Sequence, residues 1–307
     1  MSPPAGQPLI CLGEALVDLI CPDPLRDHAR ARRFETHCGG ALANVAVAAA
    51  QAGAPVCLAS ACGDDDRGRL LRGRLAGHGV DLRYYGVVAG VPTPFAFAYL
   101  DPDLEPTFEI HGAGIDAAIA SLHGREDEIA AAAAAIVYGS NTLVDARSRA
   151  VTEAICDRAS TLGAPLLFDP NLRPHRWPDE GSARERCMPH VRTANVLRCN
   201  LDEARWLLRD EAVDAGAAAA ALLALGPELA VVTAGTSPVA ARGACSVDIA
   251  PPAVAVVSPL GAGDAFMGAL AAGLHAVDFD PGRAGAALSD AVERGARACT
   301  HLGAVSE

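Results

Sequence analysis

Short apolar segments alternate along the chain with alanine-rich segments of helical periodicity. The apolar segments are "LICLG" and "VCLASACG" near the amino terminus, followed by "AIVYGS", "PLLFDPN", "NVLRCN" and "LAVVTAG". Apolar runs of about four to eight residues bounded by turn residues are typical of buried strands. Their alternation with helices predicts an α/β fold, a doubly wound and mostly parallel sheet with helices on both faces.

Small and polar residues follow these strands at their carboxyl ends. Examples are Gly13-Glu14, Gly139-Ser140-Asn141 and Asp169-Pro170-Asn171. Turns favour such residues whatever the function, so one strand end alone admits both interpretations. Six of them together favour a ligand site, because open α/β sheets bind ligands beyond the carboxyl ends of their strands.

Two segments interrupt the alternation of strands and helices. In "TPFAFAYLDPDLEPTFEIH" the aromatic residues alternate with alanines and resume after a turn that contains proline, a pattern that predicts a hairpin. The second segment is "CPDPLRDHARARRFETHCGG". We therefore predict one domain over residues 1–307, with a small β lid formed by about 14–37 and 88–111. The apolar stripe of the lid, which includes Phe97, faces either a ligand or a partner subunit, so a homodimer through the lid is one option.

Composition narrows the classes of function. A formal charge of -12 argues against nucleic-acid and anionic-membrane partners, both of which need a basic surface. The 25 basic residues are all arginine. The absence of lysine excludes a lysine Schiff base, a Walker-type phosphate loop and the strand lysine of protein kinases. If the protein handles phosphates, it does so with backbone amides, a divalent metal and arginine.

Cysteine and histidine usage argues against disulfide and zinc frameworks. The ten cysteines contain no C-x-x-C pair and stand mostly in apolar runs, as small buried hydrophobes do. The nine histidines lack metal-ligand spacing. Glu14 and Asp18 interrupt the first apolar segment, and no stretch is long and apolar enough to span a bilayer; we predict a cytoplasmic protein. The alanine run 130–135 is predicted to be helical.

The stretch "VVSPLGAGDAFMGALAAGL", Val256–Leu274, carries the main candidate chemistry. The apolar "AVAVV" is interpreted as a strand, and helical periodicity begins near Ala265. Glycine and alanine leave backbone amides bare at a helix N-terminus, where anions bind. An aspartate beside them, Asp264, suits a base that deprotonates a hydroxyl attacking phosphorus held by those amides. Asp264 as a simple helix cap is the alternative.

A second motif, "CGGALANVAVAAAQAG", opens a helix of small residues with a glycine pair. Gly39 and Gly40 permit close approach of the backbone to a ligand, and the Asn44 amide can both donate to and accept from sugar hydroxyls. A tight turn into a buried helix explains the same residues structurally.

These two motifs together resemble the signatures of the ribokinase-like (PfkB) carbohydrate kinases, and the resemblance extends in order over nearly the whole chain. "ICLGEALVDLI" resembles the opening strand of that family, and the segment from Gly63 resembles its Gly-Asp-Asp segment. "FDPNLRPHRW" is similar to a segment of fructokinases and 2-keto-3-deoxygluconate kinases, and "NLDEA" supplies an Asn-x-x-Glu motif. The resemblance implies a ribokinase-like fold and ATP-dependent phosphorylation of a primary sugar hydroxyl.

The same resemblance implies roles for individual residues. Asp264 is the base, and the amides of Gly261, Ala262 and Gly263 stabilise the transferred phosphoryl group. The implied sugar-binding residues are Asp18, Gly39, Gly40, Asn44, Phe97 and Arg173, the last of which can also reach the phosphates. The implied nucleotide-binding residues are Asn171, Asn200, Glu203, Thr233, Gly235, Gly261 and Gly263. Glu203 organises Mg²⁺, through water, and the ion arrives with the nucleotide.

Three departures from the family pattern lie on the nucleotide side. Ser258-Pro259 replaces the family's Asp-Thr, whose aspartate helps to form a monovalent-cation site, so potassium activation is doubtful. Pro238 replaces a glycine beside the nucleotide, which fixes φ and removes an N–H. Val292-Glu293 replaces an Asn-Ala pair near the adenine. The sugar side and the base are intact.

Fructokinase is the favoured activity, because "GEALVDLI" and "DPNLRPHRW" occur together. 2-Keto-3-deoxygluconate kinase and ribokinase are the alternatives among kinases. A sugar-binding or regulatory protein with weakened catalysis is the alternative from another class, motivated by Ser258, Pro238 and Val292.

Overall fold

A computed structural model describes residues 6–305 as a large sheet covered by helices and a small second sheet. The strands are β1 Leu9–Leu12, β2 Leu16–Ile20, β3 Glu35–Gly39, β4 Val56–Gly63, β5 Tyr85–Val88, β6 Phe95–Leu100, β7 Pro106–His111, β8 Ala135–Gly139, β9 Leu166–Asp169, β10 Val196–Asn200, β11 Leu229–Ala234, β12 Ser237–Gly243 and β13 Val247–Ile249. The α-helices are α1 Ala41–Gln51, α2 Asp66–Gly77, α3 Ala113–Ala120, α4 Glu126–Ala132, α5 Ala146–Thr161, α6 Glu180–Thr193, α7 Leu201–Leu208, α8 Ala215–Leu223, α9 Ala262–His275 and α10 Gly285–Ala298.

The large sheet has the order β13-β12-β11-β10-β9-β8-β1-β4-β5 and is parallel from β11 to β5. The six apolar segments form β1, β4, β8, β9, β10 and β11, so the predicted α/β fold class is confirmed. Strand order reverses between β1 and β8: the chain continues from β1 to one side and later returns to β8 on the other. Such a switch point opens a crevice beyond the strand ends, where ligands bind in open α/β sheets.

Both faces of the parallel strands are buried, which explains their continuous apolar character. Leu9 and Cys11 of β1 belong to the core under α1, α2, α9 and α10. Ile10 and Leu12 belong to the core under α3 to α8. Successive side chains point to opposite faces of a strand, so each short strand supplies both cores. Eight of the cysteines are buried, as predicted, while Cys245 and Cys299 are partly exposed.

The small sheet has the order β3-β2-β6-β7 and lies apart from the large one. The aromatic segment forms the predicted hairpin, in which β6 and β7 pair antiparallel. The side chain of Asp101 closes the turn by accepting hydrogen bonds from the amides of Asp103 and Glu105. Strand β2 joins the two halves because it pairs parallel with β6 and antiparallel with β3. We refer to β2, β3, β6 and β7 as the lid sheet.

Two predicted elements differ from the structure. The "AVAVV" segment, residues 253–257, is not a strand: it forms a loop in which Val256 and Val257 are 44% and 47% exposed. Pro251 and Pro252 precede it and have no N–H to donate to a ladder, and the Val257 amide donates instead to the Cys299 carbonyl. Helix α9 begins at Ala262, earlier than the predicted start near Ala265.

The alanine run 130–135 is divided between two elements. Helix α4 ends at Ala132, and Ala135 begins β8. Alanine fits either structure, so its neighbours decide: the Ala134 amide donates to the Pro8 carbonyl, which leads into the adjacent β1. Within residues 6–305, no helix combines the length and apolarity needed to cross a bilayer.

Candidate active site

A cleft lies between the switch point of the large sheet and the lid sheet. About 530 Å³ of space lies within it when the part that is open to solvent is counted. Side chains from both sheets and from the starts of two helices line it: Glu14, Leu16, Asp18, Gly40, Ala41, Asn44, Ala96, Phe108, Ile110, Ile115, Asn141, Arg173, Leu260, Gly261, Asp264 and Ala304. Its position is the one that the strand-end pattern predicted.

Asp264 stands in the first turn of α9 and is 8% exposed. The Nδ2 of Asn44 donates to its Oδ2 at 2.8 Å, and the Nδ2 of Asn171 donates to its Oδ1 at 3.1 Å. These bonds fix both carboxylate oxygens beside the N-terminus of α9. Asn171, which was predicted on the nucleotide side, therefore contacts the candidate base directly.

The turn before Asp264 leaves backbone exposed at the helix tip. Gly261 is the N-cap of α9 and adopts a left-handed φ of 76°, which favours glycine. The Ala262 amide closes the turn by donating to the Pro259 carbonyl, a long bond of 3.3 Å. Because Ala262 is engaged in this way, the amides of Gly261 and Gly263 are the better candidates for holding an anion.

Two acidic groups in the cleft have raised pKa values. Burial is the main cause that raises the pKa of Asp264 to about 6, and the hydrogen bond from Asn44 opposes it. Burial also raises the pKa of Asp18 to about 7, with a further contribution from the negative charge of Asp264. Arg173 lowers the pKa of both carboxyl groups. A carboxylate with a pKa near 6 is ionised at neutral pH and is a stronger base than an ordinary aspartate.

The glycine pair makes room for Asp18 and for the loop that carries Glu14. A Cβ on Gly39 would lie 2.2 Å from Oδ2 of Asp18, across the β2–β3 pair. A Cβ on Gly40, whose φ is 91°, would lie 2.6 Å from the Glu14 carbonyl oxygen. A side chain at residue 40 is therefore excluded by the backbone of Glu14 and Ala15, and one at residue 39 would displace the Asp18 carboxylate. The pair brings the start of α1, with Asn44, against the end of β1.

Arg173 lines the cleft, but Phe97 does not. The Arg173 guanidinium lies 5.6 Å from the ring centroid of Phe108 on the lid and donates to the Asn171 carbonyl. Phe97 packs instead against Phe34, whereas the neighbouring Ala96 lines the cleft. Adjacent strand residues face opposite sides, so within this chain Phe97 lies on the outer face of the lid sheet.

Asn200 and Glu203 form a capping box at the start of α7. The Asn200 side chain accepts from the Glu203 amide at 2.8 Å, and Oε2 of Glu203 accepts from the Asn200 amide at 3.0 Å. Oε1 of Glu203 accepts from the Leu172 amide at 2.7 Å. Glu203 therefore also anchors the loop that carries Asn171 and Arg173, a structural role that the motif alone does not show.

The sequence analysis missed a buried ion pair next to this loop. Arg198 of β10 is 6% exposed and donates to Oδ2 of Asp169 at 2.9 Å and to the Thr233 hydroxyl at 2.8 Å. A Cβ on Gly263 would lie 2.8 Å from its Nη1, so the guanidinium flanks the tip of α9. Burial raises the pKa of Asp169, and the charge of Arg198 opposes this. An arginine within the apolar strand "VLRCN" was the available signal.

The other positions predicted on the nucleotide side lie at the β11–β12 turn, in the loop before α9 and in α10. Gly235 has a φ of 58° at the turn from β11 to β12, and a Cβ added there would have open space around it among the described residues. Pro238 lies in β12 next to the bulge of the β11–β12 pair, where proline is tolerated. Ser258 is buried, and its hydroxyl accepts from the Leu260 amide. Val292 is buried within α10.

The acidic groups fit a hydrated divalent ion rather than a caged one. Among residues 6–305 no three His, Cys, Asp or Glu side chains are grouped as a metal would require. In the same part of the chain Asp169 retains a buried Oδ1 without a partner. Burial raises the pKa of the nearby Glu203, and the negative charge of Asp169 adds to this. Mg²⁺ typically keeps several waters and takes one or two carboxylates together with phosphate oxygens, which suits this pair.

A cleft at the switch point beneath a β lid, with a carboxylate at a helix tip, is the arrangement that the sequence resemblance led us to expect for a ribokinase-like α/β phosphotransferase. The chain belongs to the pfkB family of carbohydrate kinases, whose sequence pattern matches residues 7–302.

Individual relatives agree with this assignment. The fructokinase of Klebsiella pneumoniae is 32% identical over 301 residues, covering 96% of this chain and 94% of that protein. Fructokinase-1 of Oryza sativa subsp. japonica is 30% identical over 207 residues, which cover 67% of this chain and only 64% of the plant protein. The crystal structure of a fructokinase with bound ATP from Xylella fastidiosa matches with a TM-score of 0.81 at 29% identity, over 97% of this chain and 94% of that one.

Proposed function

We propose that this chain is an ATP-dependent fructokinase that phosphorylates a primary hydroxyl of the sugar. The observation that carries the proposal is the buried Asp264, held by Asn44 and Asn171 at the tip of α9 and facing a cleft that also contains Asp18 and Arg173. Similarity to fructokinases at about 30% identity supports the choice of sugar.

The residues of the cleft divide into a base, a sugar cradle and a phosphate cradle. Asp264 accepts the proton of the primary hydroxyl, whose oxygen then attacks the γ-phosphorus of ATP as ADP leaves. The amides of Gly261 and Gly263 stabilise charge on the transferred phosphoryl group. Asp18 and Asn44 orient the sugar by accepting from and donating to its hydroxyls.

Arg198, which is paired with Asp169, places its guanidinium beside Gly263 at the tip of α9. Glu203 and Asp169 would hold Mg²⁺ through water, and the ion would neutralise phosphate charge there. Arg173 can contact either the sugar or the phosphates from the rim of the cleft.

A coupled assay of ADP release tests the proposal over a panel of D-fructose, D-ribose, 2-keto-3-deoxygluconate and D-glucose. We expect the highest kcat/KM for D-fructose. A higher kcat/KM for 2-keto-3-deoxygluconate or D-ribose would change the assigned sugar but leave the assignment as a kinase in place. Saturable sugar binding without ADP release at any ATP or GTP concentration would replace the kinase with a sugar-binding protein.

The pH dependence of kcat/KM reports the ionisation of the free enzyme. We expect activity to rise with pH between about 5 and 7, because Asp264 must be deprotonated and its pKa is about 6. Asp18, with a pKa of about 7, titrates in the same range, so the pair has macroscopic pKa values. In Asp18→Asn the second titrating group is lost, so the profile should reduce to one ionisation, that of Asp264, with its midpoint near pH 6. A profile that stays flat down to pH 5 contradicts this assignment.

Arg176 ties together three segments around the sugar side of the cleft. Its Nη2 donates to both carboxylate oxygens of Asp116 at 2.9 and 3.0 Å, and its Nη1 donates to the Asn141 carbonyl at 3.1 Å. We expect Arg176→Met to lower the free energy of unfolding by about 2 kcal/mol, because a mostly buried, charge-assisted network is lost.

Urea unfolding measures this loss, and steady-state assays show whether the sugar KM rises as the loop at Arg173 loosens. Arg294→Met removes a surface pair with Asp290 and is the matched control, with an expected change within about 0.5 kcal/mol. Equal effects of the two substitutions would contradict the structural role of Arg176.

A further inference from the structure

A buried carboxylate at the end of β1 has a free oxygen that the proposed chemistry leaves unused. Glu14 is 3% exposed and lines the cleft. Its Oε1 accepts from Nδ2 of Asn141 at 2.8 Å and from the Ala41 amide at 3.3 Å. Its Oε2 is buried and has no hydrogen-bond partner among residues 6–305. Helix capping at Ala41 explains one oxygen and leaves the other unexplained.

An unpaired buried acceptor is unfavourable by about 1–3 kcal/mol, and by more for a charged group. Native proteins pair most such groups, so each exception requires an explanation. Glu14 lies at the switch point between β1 and β8, where ligands bind in this type of sheet. A ligand that donates a hydrogen bond to Oε2 of Glu14 would give this oxygen the partner that it lacks.

The side-chain amides of two neighbouring asparagines, Asn44 and Asn141, also have acceptor oxygens without a partner in the described part of the chain. The Asn44 side chain donates its Nδ2 to Asp264, and the Asn141 side chain donates its Nδ2 to Glu14. These bonds fix the orientation of both amides, because carboxylate oxygens require donors. The side-chain carbonyl oxygens of Asn44 and Asn141 are buried and unpaired within the described part of the chain. The three residues line one cleft, so it presents several acceptors that need donor groups.

We infer that Glu14 binds the acceptor sugar directly, with its Oε2 accepting a hydrogen bond from a hydroxyl other than the one that reacts. The inference rests on the proposed function, since it assigns a further residue to the same cleft. Asp264 is bonded to Asn44 and Asn171, whereas Glu14 is bonded to Asn141 and Ala41. The two carboxylates thus belong to separate hydrogen-bonded groups and meet different hydroxyls. The cleft therefore selects polyhydroxyl sugars that place a donor at Glu14.

Glu14→Gln tests this with little structural change. Glutamine keeps an oxygen for Asn141 and Ala41 and replaces the free oxygen by an NH₂ group, which donates instead of accepting. With D-fructose we expect kcat/KM to fall about 10- to 100-fold, mainly through KM, as for loss of a hydrogen bond to a charged group. Singly deoxygenated fructose analogues locate the hydroxyl. With one of these analogues, kcat/KM of the wild-type protein should fall by a similar factor. With that same analogue, Glu14→Gln should cause no further fall.

The matched control is Glu126→Gln. Glu126 is also a buried glutamate that accepts from a backbone amide, that of Gly124, but it lies at α4 and is absent from the lining of the cleft. We expect its sugar KM to be unchanged. If Glu14→Gln does not fold, Glu14→Asp withdraws the oxygens by one methylene, keeps the charge and is expected to raise KM in the same way.

An equal loss on fructose and on every deoxygenated analogue would overturn the inference, as would an unchanged KM, because Glu14 would then only cap α1. Failure of the proposed function is seen separately, on the wild-type protein. If it binds fructose without ADP release, calorimetric binding constants replace KM in the same comparison. If it neither binds nor phosphorylates any sugar of the panel, both proposals fall.

Discussion

Asp264→Asn is expected to lower kcat by at least ~10²-fold, because a positioned general base contributes about that factor or more. The wild-type carboxylate is ionised near neutral pH, given its pKa of about 6, and faces the cleft beside the tip of α9. Asparagine has nearly the same shape but cannot take a proton from the hydroxyl. ADP release under saturating fructose and ATP measures the change, and calorimetry measures fructose affinity separately.

The hydrogen bonds of Asp264 complicate this substitution in a specific way. Both partners, Asn44 and Asn171, present an NH₂ group to the carboxylate. An asparagine at 264 can accept from one of them only, and its own NH₂ group then meets a second donor. The Asn44 amide can resolve the conflict by turning its unpaired oxygen toward residue 264.

We therefore expect fructose affinity to change by less than about tenfold while kcat falls much further. Asp169→Asn is a useful comparison, because it alters a buried aspartate on the nucleotide side that holds Arg198. That substitution should raise the KM for ATP more than the KM for fructose. Turnover close to wild type in Asp264→Asn would show that Asp264 is not the general base.

Local patterns were sufficient to predict the sheet and the lid hairpin. The parallel strands are buried on both faces, so each is a continuous apolar run that can be read without knowing its neighbours. The hairpin of β6 and β7 follows from alternation around a turn held by Asp101. Residues 253–257, which were wrongly predicted to form a strand, are similarly apolar. They form a loop because two prolines precede them, and Val256 and Val257 are exposed rather than buried between helices.

Contacts between distant segments could not be predicted from such patterns. Glu14 and Asn141 are 127 positions apart and meet only because β1 and β8 are neighbours at the switch point. Arg198 meets Asp169 because β10 pairs with β9. The alternation of aromatic residues and alanines around Phe97 predicted that successive side chains face opposite sides of the lid. It did not show which side faces the cleft, and in the structure Ala96 does.

Gly261→Ala is the second substitution for which we expect a large loss of activity. A left-handed φ such as the 76° of Gly261 is unfavourable by about 1–2 kcal/mol for an L-residue. A Cβ at this position would also lie 2.1 Å from Cβ of Ala304 and 2.4 Å from its Cα. Either the tip of α9 or the segment around Ala304 must therefore move.

Movement of the helix tip displaces the amides that are proposed to hold the phosphoryl group. A misplacement of about 1 Å near reacting atoms can reduce the rate ~10²-fold, so we expect kcat to fall by roughly that factor. Gly90→Ala separates backbone strain from the steric clash, because Gly90 has a similar φ of 74° and open space around a Cβ. That control should lower the free energy of unfolding by about 1 kcal/mol and leave kcat unchanged. If Gly261→Ala showed the same small loss of stability and full turnover, the tip of α9 would not be the place where the transferred phosphoryl group is held.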